Sequence, residues 1–272
     1  MDFLVYWIVA DSRYLERIHA EISLRPEVTG MEERAGSMGF YVPEDQKNTF
    51  TSFLNNLKEN TSFTFRMEQL KDQNWNAVWE SQFDPVILDN WMYIRAEFHP
   101  PADLNFEHEL IINPANAFGT GHHETTRLIL SWLRYRDLTE SSVLDFGAGT
   151  GILGIVARRL GARTIVGIDI RPEAVESMQS NALRNQAAMT ARQGSAEVIG
   201  DDLFDVVIAN VNLDVLQMHS VKLSNAVRAG GHMVVSGILS GDDRAIRKAY
   251  PDIHWDWMNQ EGEWIAMAGH KP

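Results

Sequence analysis

Val143-Leu144-Asp145-Phe146-Gly147-Ala148-Gly149-Thr150-Gly151 runs out of a β-rich stretch and into a helical one that starts near Ile152. The alternate glycines let the backbone turn sharply and let a ligand come close to the main chain. The helix that follows has free N–H groups at its first turn. Outward from this stretch the same alternation continues. Strand patterns at Val143–Phe146, Thr164–Ile170, Phe204–Asn210 and His232–Ile238, with a weaker one at Met189–Arg192, are separated by helical patterns. That order predicts an α/β fold with a parallel sheet covered by helices on both faces. The end of the chain departs from it. Ile253–Met258 and Glu263–Gly269 flank Asn259-Gln260-Glu261-Gly262, which predicts an antiparallel hairpin.

Two cofactors suit such a loop. Gly149-Thr150-Gly151-Ile152-Leu153-Gly154 is a literal G-x-G-x-x-G, and Asp169 lies 20 residues after Gly149, as in a nicotinamide dinucleotide site. The other register starts at Asp145 and uses Gly147, Gly149 and Gly151; it resembles motif I of S-adenosylmethionine methyltransferases. Three observations favour the second. The dinucleotide register would bury Asp145 and Gly147 inside a strand, where both are poor residues. S-adenosylmethionine has no pyrophosphate for a helix N-terminus, and its ammonium group favours a nearby carboxylate such as Asp145. The final hairpin is similar to the last two strands of the methyltransferase sheet. Asp169 ends the second strand, where a carboxylate can accept both ribose hydroxyls or cap the helix that begins at Arg171-Pro172. Ser195 follows the third strand where many methyltransferases carry an acidic residue for the adenine amine. Adenine recognition is therefore expected to rest on backbone and apolar contacts.

The 272 residues suggest one large domain or two of unequal size. Hydrophobic residues at 44% supply a core. No cysteine is present, which excludes disulfides, thiolate nucleophiles and Cys-based zinc sites. The net charge of −13 disfavours phosphate backbones and anionic membranes and favours a basic partner. No apolar run is long enough to span a bilayer. Phe3–Ala10 is bounded by Asp2 and Asp11 and is read as a strand, so a cytoplasmic protein is expected. Residues 1–70 have the order βαββαβ: Phe3–Ala10, a helix over Asp11–Leu24, strands near Val28–Arg34 and Met38–Val42, a helix over Glu44–Glu59 and a strand at Thr61–Leu70. This suggests a small ferredoxin-like α+β domain. Residues 71–100, with Trp75, Trp79 and Trp91, are read as a linker, and 101–272 as the catalytic domain.

Asn113-Pro114-Ala115-Asn116-Ala117-Phe118-Gly119-Thr120-Gly121-His122-His123-Glu124-Thr125-Thr126 precedes the glycine loop. Its core resembles A-F-G-T-G-x-H-x-T-T of the PrmA family of ribosomal-protein methyltransferases, which modify large-subunit ribosomal protein eleven. Val143–Gly154, Gly167–Pro172, Ile208-Ala209-Asn210-Val211, Val235–Leu239 and Trp75…Trp79…Phe83…Pro85-Val86 extend the resemblance over most of residues 72–240. It implies that Phe118, Gly119, Thr120, Gly121 and Thr126 line the cofactor site with Asp145, Gly147, Gly149, Gly151, Asp169, Ser195 and Asn210. It also implies that residues 1–70 grip the substrate. The sequence departs from the family at His122, commonly Thr, and at Asn212-Leu213, usually Ile-Leu-Ala after the Asn-Val pair.

His122 and His123, with His108 and Glu124, invite a metal reading, but H-E-x-x-H would need Glu at position 123 and His at 126, and no metal is expected. Asn210 ends the fourth strand, where its amide oxygen can accept a hydrogen bond from an incoming amine; it is the catalytic candidate. Related adenine and glutamine enzymes carry Asn/Asp-Pro-Pro-Tyr there. The absence of those prolines and that aromatic residue favours an aliphatic amine. The expected activity is S-adenosylmethionine-dependent methylation of lysine ε-amines, and of an N-terminal α-amine, on a basic ribosomal protein by a monomer that contacts neither nucleic acid nor membrane. The alternatives are a lysine methyltransferase for another protein, a nicotinamide oxidoreductase and a non-catalytic cofactor-binding regulator.

Overall fold

The computed structural model describes residues 3–10, 18, 21–22, 25–34, 37–70, 84–113 and 117–272. Contacts divide the chain into two units, Met1–Phe83 and Asp84–Pro272. In the first, strands β1 (Phe3–Ala10), β2 (Gly30–Arg34), β3 (Ser37–Pro43) and β4 (Phe63–Leu70) form an antiparallel sheet in the order β2-β3-β1-β4. Strand alternation sends Leu4, Tyr6 and Ile8 of β1 to one face. There they meet Phe50, Leu54 and Leu57, which share a face of helix α1 (Lys47–Asn60). Ile18 and Ile22 are helical and join the same core; the rest of the helix expected over Asp11–Leu24 lies outside the described residues. The Tyr6 ring meets Phe50 edge-on at 4.9 Å, and its hydroxyl stands 2.7 Å from Thr51 Oγ1, so the buried phenol keeps a hydrogen bond.

The second unit begins earlier than the linker reading placed it. Trp75 and Trp79 lie outside the described residues. Residues 84–100, however, belong to this unit. Strands β5 (Val86–Leu88), β6 (Met92–Arg95) and β7 (His108–Ile111) form a three-stranded sheet. Val86, Trp91, Met92 and Ile94 bury against Leu128 and Leu133 of helix α2 (Glu124–Leu133). Strands this short carry little periodicity of their own, and distant partners make them. Asn185, buried on helix α4 (Pro172–Arg184 and its C-terminal cap), donates from Nδ2 to Ile111 O at 2.7 Å and accepts from Ile111 N at 3.0 Å. Asn181 Oδ1 accepts from Asn113 N at 3.0 Å. The two amides serve the edge of β7 as a neighbouring strand would.

The main sheet has seven strands: β8 (Ser142–Phe146), β9 (Thr164–Asp169), β10 (Thr190–Gln193), β11 (Phe204–Asn210), β12 (Val227–Leu239), β13 (His254–Glu261) and β14 (Trp264–His270). Their order is β10-β9-β8-β11-β12-β14-β13. β14 alone runs opposite to the other six strands. Period-two alternation splits the strands between two cores. Val143, Ile165, Ile208 and Val234 face α2 and helix α3 (Ile152–Arg159). Leu144, Val166, Val207 and Val235 face helices α5 (Leu213–Met218), α6 (Ser220–Ala226) and α7 (Asp243–Ala249). The hairpin turn is tighter than expected. Asn259, Gln260 and Glu261 extend β13, and Gly262-Glu263 alone make the turn, with Gly262 at φ 60°. Among the described residues no helix is long and apolar enough to cross a membrane.

Candidate active site

Between β8 and β11 the strand order reverses, and there, at the carboxyl ends of β8, β9 and β11, a cavity of about 440 Å³ opens. Open α/β sheets bind ligands at such switch points. A second cavity of about 350 Å³ lies at the opposite ends of the strands, around Ser141, Asp205 and Gly231.

The glycine loop is the floor. Gly147 N and Ala148 N donate to Ile168 O at 2.8 and 2.9 Å, folding the loop back onto β9. Gly149 N donates to Asp169 Oδ2 at 3.0 Å, and Thr150 N to Phe118 O at 2.9 Å. Thr150 Oγ1 also donates to Gly119 O. The segment around Phe118 is thereby laid on the loop. Gly149 has φ 55°, and a Cβ there would stand 2.2 Å from Phe118 O; at Gly147, with φ 71°, it would stand 2.3 Å from Val211 Cγ1. Both positions require glycine, by backbone sign and by space.

Of the residues expected in the site, Phe118, Gly147, Gly149, Asp169, Ser195 and Asn210 line this cavity. Gly119, Thr120, Gly121, Thr126, Asp145 and Gly151 do not. Gly121 packs on Ile94 and Val86, and Gly151 starts α3 against Met178. Thr120 Oγ1 lies 3.0 Å from His122 Nδ1, and His122 Nε2 lies 2.8 Å from Asp84 O. His123 sits edge-on between Phe118 and Trp264, 5.1 Å from each ring. Asp169 has two structural duties at the cavity edge, since its Oδ1 accepts from Arg171 N at 3.0 Å.

Asp145 is the clearest departure from the expected geometry. It does not face the cavity. It is 1% exposed beneath the loop, where Gly154 N, an unpaired donor of the first turn of α3, reaches its Oδ2 at 2.9 Å. Its Oδ1 has no partner among the described residues. Burial pushes this carboxyl up to about 7, the Gly154 N–H opposes the shift, and the charge of Asp169 adds to it. The unfolded chain ionises near the ordinary 3.8. Between those values the folded state holds a proton that the unfolded state releases. The stabilisation is therefore complete below the unfolded value and is lost as pH rises towards the folded one. Asp145→Asn is neutral throughout. Its melting temperature should gain on the parent's as pH rises from about 5 to about 8. A constant difference across that range would show that the Asp145 carboxyl does not titrate there.

Asn210 is placed as a group awaiting a partner. Its Nδ2 donates to the fully buried Thr126 Oγ1 at 3.4 Å, which fixes the amide's orientation. Asn210 lines the cavity, and its Oδ1 is buried with no partner among the described residues. A buried acceptor left so costs about 1–3 kcal/mol, which a ligand N–H would recover. The reading from sequence missed Ile170, Val215, Met218 and His219 on the wall. The last three come from α5 and the α5–α6 junction, and no local pattern marks them.

The sequence model of the ribosomal protein L11 methyltransferase (PrmA) family matches residues 8–272. The chain belongs to this family. A ribosomal protein L11 methyltransferase of Cupriavidus taiwanensis is 37% identical over 214 residues, covering 76% of this chain and 69% of the relative. One from Paraburkholderia xenovorans is 33% identical over 264 residues, covering 96% and 86%. The crystal structure of a ribosomal protein L11 methylase from Lactobacillus delbrueckii subsp. bulgaricus matches with a TM-score of 0.63 at 25% identity, covering 70% of this chain and 99% of that one. A 16S rRNA methyltransferase of T. thermophilus, solved with AdoMet and guanosine, shares the fold at a TM-score of 0.50 and 22% identity. The PrmA chain is thus an S-adenosylmethionine-dependent methyltransferase, and the nicotinamide register is set aside. Its cavity fits that cofactor: a glycine cradle that a Cβ would fill, a carboxylate at the β9 end, apolar walls and one orphaned acceptor at the β11 end.

Proposed function

We infer that this protein methylates amine nitrogens of ribosomal protein L11, at lysine side chains and at the N-terminal α-amine. The observation that carries the reading is Asn210 in the lining of a methyltransferase cavity in a PrmA chain, with a buried Oδ1 that has no partner among the described residues. When bound, S-adenosylmethionine supplies an electrophilic methyl group on a sulfonium. Displacement at such a carbon is governed by alignment, and alignment is what the residues here offer. Thr126 holds the Asn210 amide so that Oδ1 accepts from an amine N–H, which turns the nitrogen lone pair. A lysine amine, pKa about 10.4 in water, must shed its proton first. Apolar surroundings favour its neutral form, so no side-chain base is required. Phe118, Val211 and Val215 provide them.

The first unit, residues 1–83, is assigned to grip the substrate. Every cofactor motif lies in the second unit, and the net charge of −13 complements a basic ribosomal protein. The test is transfer of labelled methyl to purified L11, with the labelled positions mapped by mass spectrometry. The full chain should label lysines and the N-terminus. A fragment comprising Asp84–Pro272 should bind S-adenosylhomocysteine but lose most of the transfer to intact L11. Label on another protein of the ribosome, with none on L11, would refute the substrate assignment. Full transfer by the fragment would refute the role of the first unit.

A further inference from the structure

One exposed side chain ties the segment laid on the glycine loop to the start of the second unit. Phe118 lines the cavity, and its carbonyl accepts from Thr150 N. Beyond it, Gly119 and Gly121 stand at φ 97° and 94°, so Thr120 lies between two left-handed glycines. Glycine on both sides leaves the backbone around Thr120 many conformations, and a contact from outside must choose one. His122 engages this stretch with both ring nitrogens. Its Nδ1 lies 3.0 Å from Thr120 Oγ1, and its Nε2 lies 2.8 Å from Asp84 O. The first contact spans two residues, whereas the second spans 38 and reaches the residue at which the second unit begins. His122 is exposed, so its ring fills no core. The neighbouring backbone is held without the ring: Arg127 Nη1 donates to His122 O, and Gly121 packs on Ile94 and Val86.

The protons of this bridge have a direction. A carbonyl oxygen only accepts, so Nε2 carries a proton and donates to Asp84 O. In the neutral ring Nδ1 is then the acceptor, and the Thr120 hydroxyl donates to it. The two bonds run head to tail from Thr120 through the imidazole to Asp84, and each polarises the other. Resting on the methyltransferase reading above, we propose that His122 is a positioning residue for the cofactor: by pinning Thr120 to Asp84 O it holds the Phe118 segment on the glycine loop in the form that binds S-adenosylmethionine. His122 is not in the cavity lining, and it acts through Thr120 and Phe118. Affinity for the cofactor is thereby linked to the place of Asp84, where the second unit begins.

Calorimetry of S-adenosylhomocysteine binding to the full-length protein tests this without turnover. His122→Ala should bind roughly threefold to tenfold more weakly than the parent, the scale of one net hydrogen bond. Two further variants separate the halves of the bridge. In His122→Gln the amide nitrogen stands where Nε2 stood and can donate to Asp84 O, so most of the affinity should return. In His122→Asn the amide reaches only as far as Nδ1. That variant keeps the contact with Thr120 and should remain as weak as His122→Ala. A second readout needs no folded variant. In the parent with nitrogen-labelled histidine, magnetic resonance should find a protonated Nε2 on the His122 ring. A bare Nε2 there overturns the proposal, because a bare nitrogen cannot bond a carbonyl. Equal affinity in the parent and His122→Ala, no recovery in His122→Gln, or recovery in His122→Asn also overturns it and leaves the methyltransferase reading standing. Failure of the parent to bind S-adenosylhomocysteine at all overturns both.

Discussion

Gly149→Ala should cost the protein roughly 100-fold in affinity for S-adenosylhomocysteine, about 2.8 kcal/mol at 1.4 kcal/mol per decade. Two independent penalties converge. The residue has φ 55°, where an L side chain costs about 1–2 kcal/mol. The new methyl would also stand 2.2 Å from Phe118 O and 3.1 Å from Phe118 C, which are main-chain atoms that cannot rotate away. Relief requires the Phe118 segment to leave the loop. That movement breaks the Thr150 N to Phe118 O bond and disturbs the Gly149 N to Asp169 bond, so the cavity loses its floor and one wall together. Gly200→Ala is the matched control. Its φ is 65°, but nothing lies within 4 Å of a Cβ there. It should lower the melting temperature slightly and leave affinity unchanged. Equal affinity in Gly149→Ala and the parent would mean that the contact between loop and Phe118 segment is not part of the cofactor site.

Asn210→Ala should lower kcat by roughly 10- to 100-fold, the effect of losing about 1.4–2.8 kcal/mol of transition-state alignment. Affinity for S-adenosylhomocysteine should barely change, because the glycine loop and Asp169 remain. The geometry sharpens the companion variant. In Asn210→Asp the amide N–H that meets Thr126 is gone, and the Thr126 hydroxyl turns to donate instead. The carboxylate still accepts from an amine, but it favours the ammonium form and raises the amine's pKa. Activity of Asn210→Asp should therefore recover with rising pH more steeply than the parent's. If both variants kept parental kcat across about pH 7–9, the orienting group would have to be sought elsewhere on the wall.

The architecture of the second unit could be read from local pattern because its causes are local. Val143–Phe146 and Phe204–Asn210 are apolar runs ended by a turn signal. Three glycines at alternate positions mark a loop whatever surrounds it. The short strands β5–β7 could not be read that way, since four residues such as Met92–Arg95 carry no periodicity and become strand by pairing with one another and, at β7, with Asn181 and Asn185. For the same reason the stretch from Asp84 to Pro100 read as linker.

The site divides along the same line. From sequence alone came the register of the glycine loop, the carboxylates at the ends of β8 and β9, Asn210 at the end of β11 and the family. All of these are written in residue type and spacing within one strand–turn–helix unit. Only the tertiary structure decided what those groups face. Asp145 lies under the loop because a free N–H of α3 is there to receive it. The nitrogen of Asn210 is held by Thr126, 84 residues away, while its buried oxygen has no partner among the described residues. Ser195 meets His219 across 24 residues through the packing of α5 and α6 on the sheet. A hydrogen bond acts over about 3 Å, and which atoms come that close depends on how the chain closes on itself, which no local window of sequence contains.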